Sequence, residues 1–557
     1  MNVRHRTMKT GIAAVAICLL AACSGGGVSH GVPATPVTSP TAGSLVPMTT
    51  SRFTITVPSA NTATSNSRAP KYVSVNTQSV VITLASVNGA PFTGSATSPA
   101  SIATNLIPST ACVSVGGVLT CTVNAPAIPG NDVYNIATYD QQQASTSPSA
   151  PLGNVLSQAT NVLVNVTAAK ATTVTTPLVL NGVVKSFALA KNINGNASDP
   201  HVLSTGTQAS PAYSIVGSQS YSVGIVAEDA SSAMMFGPGT PTFSSCQSGS
   251  SAITATTDGG TCIIQVKSFS TAPVMLTFTM STGNVVIPFT TVQELWVGST
   301  AGFVNGFIPG INAPIAGDEI IIGSPFAVAA DASGNLWIAN FFGSVVAAYS
   351  PGAGPIPIAA DTITLGSGRS QGLAFDSSGH LWISQCTLAS ICEITAYVPG
   401  TNTPISADTI GPNANSAFFG IAFDANGKLW VTNGNTVQAY TPGTSTPIAF
   451  DTITGPGTSS TNFFGGIAFD AIGNLWVSDD TNNTVTPYVP GTSTPIAADT
   501  ITTGLNQPFG IAFDAGGNLW VANSGNQTVT AYVLGTNTPI SVDTINIQQP
   551  EALTFTP

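Results

Sequence analysis

The second half of the chain repeats one pattern of apolar and polar positions. Its clearest copy opens with the apolar stretch Gly466-Ile467-Ala468-Phe469, turns through Asp470-Ala471-Ile472-Gly473-Asn474, and continues into a second apolar stretch, Leu475-Trp476-Val477. Thr484-Val485-Thr486-Pro487-Tyr488-Val489 then alternates, Pro490-Gly491-Thr492 turns the chain, and Pro495-Ile496-Ala497-Ala498-Asp499 is a fourth short run. Runs of this length, each closed by turn-forming residues, predict four antiparallel strands. The turn Asp can accept backbone N–H bonds and its Gly can take positive φ. Proline in the last two strands suits edge positions, where a missing N–H leaves no ladder bond unmade.

All six tryptophans fall in the second strand of this phrase. Trp296, Trp337, Trp382, Trp430, Trp476 and Trp520 are spaced by 41, 45, 48, 46 and 44 residues. A strand-bearing period near 45 marks a propeller blade. The first copy, Glu294-Leu295-Trp296-Val297, lacks a preceding strand, and the chain ends on an orphan of that strand, Gln549-Pro550-Glu551-Ala552-Leu553-Thr554-Phe555. Joining them predicts a six-bladed β-propeller over 291–557, closed by the C-terminal strand.

The first half alternates without that repeat. Phe53-Thr54-Ile55-Thr56-Val57, Tyr72-Val73-Ser74-Val75, Ser79–Leu84 and Val133–Asp140 read as strands, and Gly116-Gly117 between Val115 and Val118 suggests a hairpin. Val183–Leu189, Tyr221–Val226, Cys262–Val266 and Val274–Thr279 form a second group. Both groups resemble immunoglobulin-like sandwiches. The fold class expected is therefore all-β, with two immunoglobulin-like β-sandwich domains (51–170 and 177–290) ahead of the propeller. His201, the sole histidine of these two groups, reads as a solvated loop residue.

The N-terminus changes the setting. Arg4, Arg6 and Lys9 precede the apolar run Gly11–Leu20, too short to span a bilayer, so residues 1–22 read as a targeting segment. Leu20-Ala21-Ala22-Cys23 resembles the bacterial lipobox, which implies cleavage before Cys23 and its lipidation; an ordinary secretory signal is the other reading. Ser24 in place of Asp is compatible with an outer-membrane destination under the lipoprotein sorting rule. Residues 23–50, rich in Gly, Ser, Thr and Pro, read as a flexible tether.

Six further cysteines form three close pairs, Cys112 with Cys121, Cys246 with Cys262 and Cys386 with Cys392. In an exported chain such pairs read as disulfides, with metal binding as the rival reading although no His lies nearby in sequence. Charged residues are scarce, 6% of the chain. From Thr291 onward only Arg369 and Lys428 face seventeen acids, a balance that repels phosphate backbones and disfavours nucleic acid.

The blade phrase Gly420-Ile421-Ala422-Phe423-Asp424-Ala425-Asn426-Gly427-Lys428-Leu429-Trp430-Val431 resembles the repeat of NHL propellers and of virginiamycin B lyase, and more loosely that of gluconolactonase and regucalcin. The lyase resemblance implies a histidine base and a metal-coordinating acid at the ring centre, but His380 stands at the turn position of Asn335, Asn474 and Asn518. The lactonase resemblance implies a Glu, Asn and Asp set around a divalent ion, and Glu551 is the glutamate placed on an inner strand. Asp331, Asp376, Asp424, Asp470 and Asp514 recur at one turn, and Asp318, Asp361, Asp408, Asp451, Asp499 and Asp543 at the fourth strand, so these acids read as blade-building. Asp479-Asp480-Thr481-Asn482-Asn483 breaks the repeat and reads as an Asn/Asp turn or a Ca²⁺ loop.

Near-identical turns occupy one propeller face, and the variable loops collect on the other, where binding usually resides. That face brings forward Arg369, Gln371, Phe418, Phe419, Phe463, Phe464, Gln507 and Glu551 as candidate ligand contacts. The paired phenylalanines either stack on a sugar or apolar partner or plug the channel. The leading expectation is a non-catalytic cell-envelope lipoprotein that presents the propeller as a binding module for a surface protein or glycan, without a cofactor. A metal-dependent lactonase- or lyase-like enzyme is the alternative, and a purely structural envelope component is a third.

Overall fold

The computed structural model describes residues 48–57, 73–95, 98–176, 178–190, 199–235, 240–270, 272–311, 313–351, 354–366, 368–387, 391–414, 416–455, 464–492 and 494–556. The expected signal segment, Cys23, most of the tether and Phe463 lie outside them. Among the described residues the chain is all-β, with no α-helix.

Residues 49–182 hold two sheets around one core, antiparallel except where Thr172–Thr173 pairs parallel with the first strand. Thr49–Val57 pairs with Val118–Ala127, so Thr49 and Thr50 begin a strand where a tether was expected. Ser79–Val87 pairs with Gly130–Tyr139, which pairs with Val155–Val166. Phe53, Ile55 and Val57 are buried while Thr54 and Thr56 are exposed, and the buried set meets Val80, Ile82, Tyr134 and Ile136 of the other sheet. Gly116 and Gly117 take φ of 60° and 81°, the two positive values that a twist-matched two-residue hairpin needs. The Cys112–Cys121 disulfide joins directly opposed residues of that hairpin. Val73–Val75, expected as a strand, is instead part of a turn. The Ser74 carbonyl accepts the Thr77 N–H at 3.1 Å and its hydroxyl accepts the Asn76 N–H at 3.3 Å, local bonds that compete with a ladder.

Beyond it, a five-stranded sheet (Val202–Ser204, Tyr213–Val216, Gly283–Val292, Val274–Met280, Phe243–Ser248) shares a core with the three-stranded sheet Ser220–Val223, Thr261–Val266 and Ile253–Asp258. The Cys246–Cys262 disulfide crosses from one sheet to the other. Asn181–Gly182 pairs back on Val155–Val166 of the preceding sheets. At the far end, Gln293 and Glu294 alone separate Gly283–Val292 from the first strand of the repeat.

Six antiparallel sheets follow. The first comprises Leu295–Ser299, Phe303–Phe307 and Pro314–Ile321, with the C-terminal strand Pro550–Phe555 paired against Leu295–Ser299. The others begin at Pro325–Ala330, Arg369–Phe375, Phe418–Phe423, Phe464–Phe469 and Pro508–Phe513. Each of these starting strands lies against the next, and Pro508–Phe513 lies against Pro550–Phe555, which lies against Pro325–Ala330. This is a propeller arrangement with those strands innermost. In the fourth sheet the expected outer run becomes the 3-10 turn Ala449–Asp451 and the outer strand is Thr452–Thr454; in the fifth, the turn Ala497–Asp499 replaces the outer strand.

The repeat residues explain themselves in the contacts. Trp337, Trp382, Trp430, Trp476 and Trp520 each set their ring edge-on to a phenylalanine of the next blade, Phe375, Phe423, Phe469, Phe513 and Phe555, with centroids 5.5–6.0 Å apart. The turn Asp fastens that tryptophan. Asp470 accepts the N–H groups of Ile472 and Asn474 on one oxygen (3.1 and 2.8 Å), and the Asn474 amide and Trp476 indole N–H on the other (both 3.0 Å). His380 fills the Asn position in its own blade, 3.1 Å from Asp376. The fourth-strand acids reach forward, Asp361 beside Gly400, Asp408 beside Gly443, Asp451 beside Gly491, Asp499 beside Gly535 and Asp543 beside Gly310, in each case the turn glycine of the next blade.

Candidate functional site

Every innermost strand breaks register at the same place. The ladder skips Phe326 between Pro325 and Ala327, Gln371 between Ser370 and Gly372, and Glu551 between Pro550 and Ala552. In the fourth, fifth and sixth blades the break spans Phe419-Gly420, Gly465-Gly466 and Phe509-Gly510. A bulge leaves a residue unpaired and re-aims its side chain. The six bulge positions, in the order in which their strands lie against one another, are Glu551, Phe326, Gln371, Phe419, Gly465 and Phe509. Phe326, Phe419 and Phe509 come from the second, fourth and sixth blades yet meet one another, with centroids 5.2–6.2 Å apart. Side chains from alternate blades touch only at the axis.

The glycine after the bulge allows this close approach. A β-carbon at Gly510 would stand 2.4 Å from the Glu551 carbonyl oxygen, and one at Gly466 would stand 2.7 Å from that of Phe509. Hydroxyls on the second strands brace the same carbonyls: Ser384 donates to Phe419, Thr432 to Gly465 and Ser478 to Phe509, at 3.2, 3.2 and 2.6 Å.

Polar groups rim the aromatic floor. Burial first, and then the Asp480 charge, push Glu551 up to about 7, and no hydrogen bond reaches its carboxylate among the described residues. Asp480 is itself raised, by burial above all. Gln371 is buried with its side-chain carbonyl oxygen unpartnered among the described residues. Arg369 lies over the rings of Phe341 and Phe342, 4.8 and 5.6 Å from their centroids, and Phe342 is 74% exposed. Gln507 sits in the loop ahead of Phe509 with φ of 49°, its N–H bonded to Asn483.

The sequence candidates thus divide. Arg369, Gln371, Phe419 and Glu551 belong to the innermost strands at or beside the bulges, with Gln507 on the adjoining loop. Phe418 and Phe464 begin innermost strands too, but they precede the bulge and keep ladder alternation, so both are buried in the cores between blades rather than at the axis. Phe326 and Phe341 were missed. The Cys386–Cys392 disulfide ties opposed residues beside the loop that joins their strands. The Asp479 loop turns its oxygens on itself: Oδ1 takes the N–H of Thr481 and Asn482, and Oδ2 the Asn482 amide.

A second cluster lies where the five-stranded sheet meets the first blade. His201, expected in solvent, is 1% exposed. Its Nδ1 is 2.8 Å from Asp199 and its Nε2 is 2.6 Å from Asp318. Burial pulls the imidazole down, but the bonds to Asp199 and Asp318 outweigh it and hold the group at about 10. Glu294, fully buried, is raised well above the carboxylate range by burial and then by Asp318. Asp318 is the fourth-strand acid of its blade, and it meets the preceding domain rather than the next blade's turn. The one signal in sequence was Glu294, a carboxylate two residues before Trp296 where the other blades carry Asp six residues before the tryptophan.

No family model matches the chain, and no curated protein does. Among solved structures it is similar to a virginiamycin B lyase from Staphylococcus aureus, at 17% identity over 42% of this chain and 77% of that one, with a TM-score of 0.30. A protein from Lactobacillus plantarum is similar at 14% identity over 51% and 94%, TM-score 0.36, and the WD40 β-propeller domain of Doa1 at 12% over 46% and 79%, TM-score 0.34. Likeness of this size carries no argument; the β-propeller reading of the C-terminal half rests on its strand order and axial contacts.

Proposed function

We propose that this is an exported lipoprotein, anchored through Cys23, whose two immunoglobulin-like sandwiches carry a closed six-bladed propeller, and that the axial mouth of the propeller binds a glycan at the cell surface. The observation that carries this reading is the set of bulge residues, three converging phenylalanines that alternate with Glu551, Gln371 and Gly465. Sugars offer C–H faces to aromatic rings and hydroxyls to polar groups, and binding sites combine an apolar floor with few directed polar atoms. A carboxyl that titrates near neutrality either donates to or accepts from a hydroxyl. Gln371 adds an acceptor.

The test is calorimetry of the soluble chain from residue 24 against envelope-derived oligosaccharides. Phe509→Ala is expected to weaken binding about tenfold or more, the loss of one stacking contact of about 1.5 kcal/mol. Binding unchanged in both Phe509→Ala and Glu551→Gln would sink the proposal. The pKa of Glu551 supports a second reading, since a carboxyl near 7 suits general acid–base chemistry. A lactonase- or lyase-like enzyme would then show turnover and a divalent ion, both lost in Glu551→Gln.

A further inference from the structure

We propose that His201, Glu294 and Asp318 bind a divalent cation of the zinc class, fastening the second sandwich to the first blade. The inference is independent of the glycan reading. The donor atoms of these three side chains lie within 4.8 Å of one another, and all three residues are buried. Among the described residues no other His, Cys, Asp or Glu set comes together this way.

The hydrogen-bond pattern calls for a cation. Both oxygens of Glu294 and the second oxygen of Asp318 lack any partner, in the interior, where an unpaired carboxylate is costly. Trp296 approaches Glu294 without reaching hydrogen-bond geometry, so its indole N–H is unpaired as well. Asp199 stands behind Nδ1 of His201 at 2.8 Å, while Nε2 faces Asp318 at 2.6 Å. A carboxylate behind Nδ1 is also the usual outer support of a metal-bound imidazole, fixing its tautomer and orientation.

The wall on the Glu294 side fits the carboxylate closely. Gly306 lies directly against the carboxylate, where a side chain would collide with Oε1, and Gly217 borders Oε2. One imidazole nitrogen and two carboxylates form a donor set that suits Zn²⁺ better than the all-oxygen preference of Ca²⁺ or Mg²⁺. The ligands come from both sides of the junction: His201 precedes the strand Val202–Ser204 of the sandwich, and Asp318 lies in Pro314–Ile321 of the blade.

The test uses the full soluble chain, stripped with chelator and titrated with ZnCl₂ in a calorimeter. One equivalent is expected to bind and to raise the unfolding temperature by several degrees. His201→Ala and Glu294→Gln are expected to abolish both effects, and Asp199→Asn, which keeps all three ligands, to weaken binding 10–100-fold. If the ligand variants do not fold, the wild type and Asp199→Asn decide the matter. Absence of any Zn²⁺-dependent heat or thermal shift in the wild type, or preference for Ca²⁺ over Zn²⁺, overturns the proposal. An ion lost in Glu551→Gln but kept in Glu294→Gln also overturns it, and belongs to the propeller mouth instead.

Discussion

The fifth and first blades use the same tryptophan differently. Trp476 gives its indole N–H to Asp470, an acid that also accepts three bonds from its own turn, and sets its ring edge-on to Phe513. Trp296 has no turn acid, its N–H is unpaired, and the next blade offers Ala330 where its counterparts carry phenylalanine. The carboxylate near it, Glu294, faces Asp318 and His201 instead. The turn acid repeated in the other five blades is consumed by its own blade. Glu551 and Glu294, which depart from the repeat, keep unspent hydrogen-bonding capacity, and Glu294 draws the repeated acid Asp318 into its site.

The sharpest way to break this contrast is to delete a repeated acid. Asp470→Ala strands a buried indole N–H and three further donors, and is expected to destabilise the propeller by about 3 kcal/mol, read as a drop in its unfolding midpoint. Glu551, a departing acid, is expected to behave in the opposite sense. Its pKa rises from 4.5 to about 7 on folding, so its contribution is fully present below about 4.5 and is lost as pH rises through about 7. Glu551→Gln should therefore flatten the pH dependence of stability in that window and gain up to about 3 kcal/mol at pH 8. An unchanged pH profile would mean that the carboxylate is solvated. The smallest effect is a difference between tryptophans: Trp476→Phe should cost about 1 kcal/mol more than Trp296→Phe, since only the former gives up an indole hydrogen bond. Equal losses would remove the distinction between the two blades.

The blades were legible because each period carries its own local chemistry. Turn Asp, turn Gly, Trp and the inner-strand Phe lie within about twenty residues, and their spacing reflects bonds that are short in sequence. The partner of Leu295–Ser299 was legible too, through the orphan strand at the other end of the chain. The axial ring was only half legible. Alternation fails across a bulge, so Phe418 and Phe419 read as an equivalent pair although one enters a core and the other the axis. His201 was not legible at all. Its partner Asp318 is 117 residues away and looks, in sequence, like one of six identical blade acids.

The bulges separate two jobs that a strand usually performs with the same residues. Because the ladder skips the axial position, that position has no say in how the strand registers, and its identity is free to drift while the blades stay as they are. Glu, Phe, Gln, Phe, Gly and Phe are one spelling of a six-letter word. The ladder constrains none of these letters; Gly465 alone is held by its neighbours, since a β-carbon there would stand 3.0 Å from the Phe509 ring and the Ser478 hydroxyl.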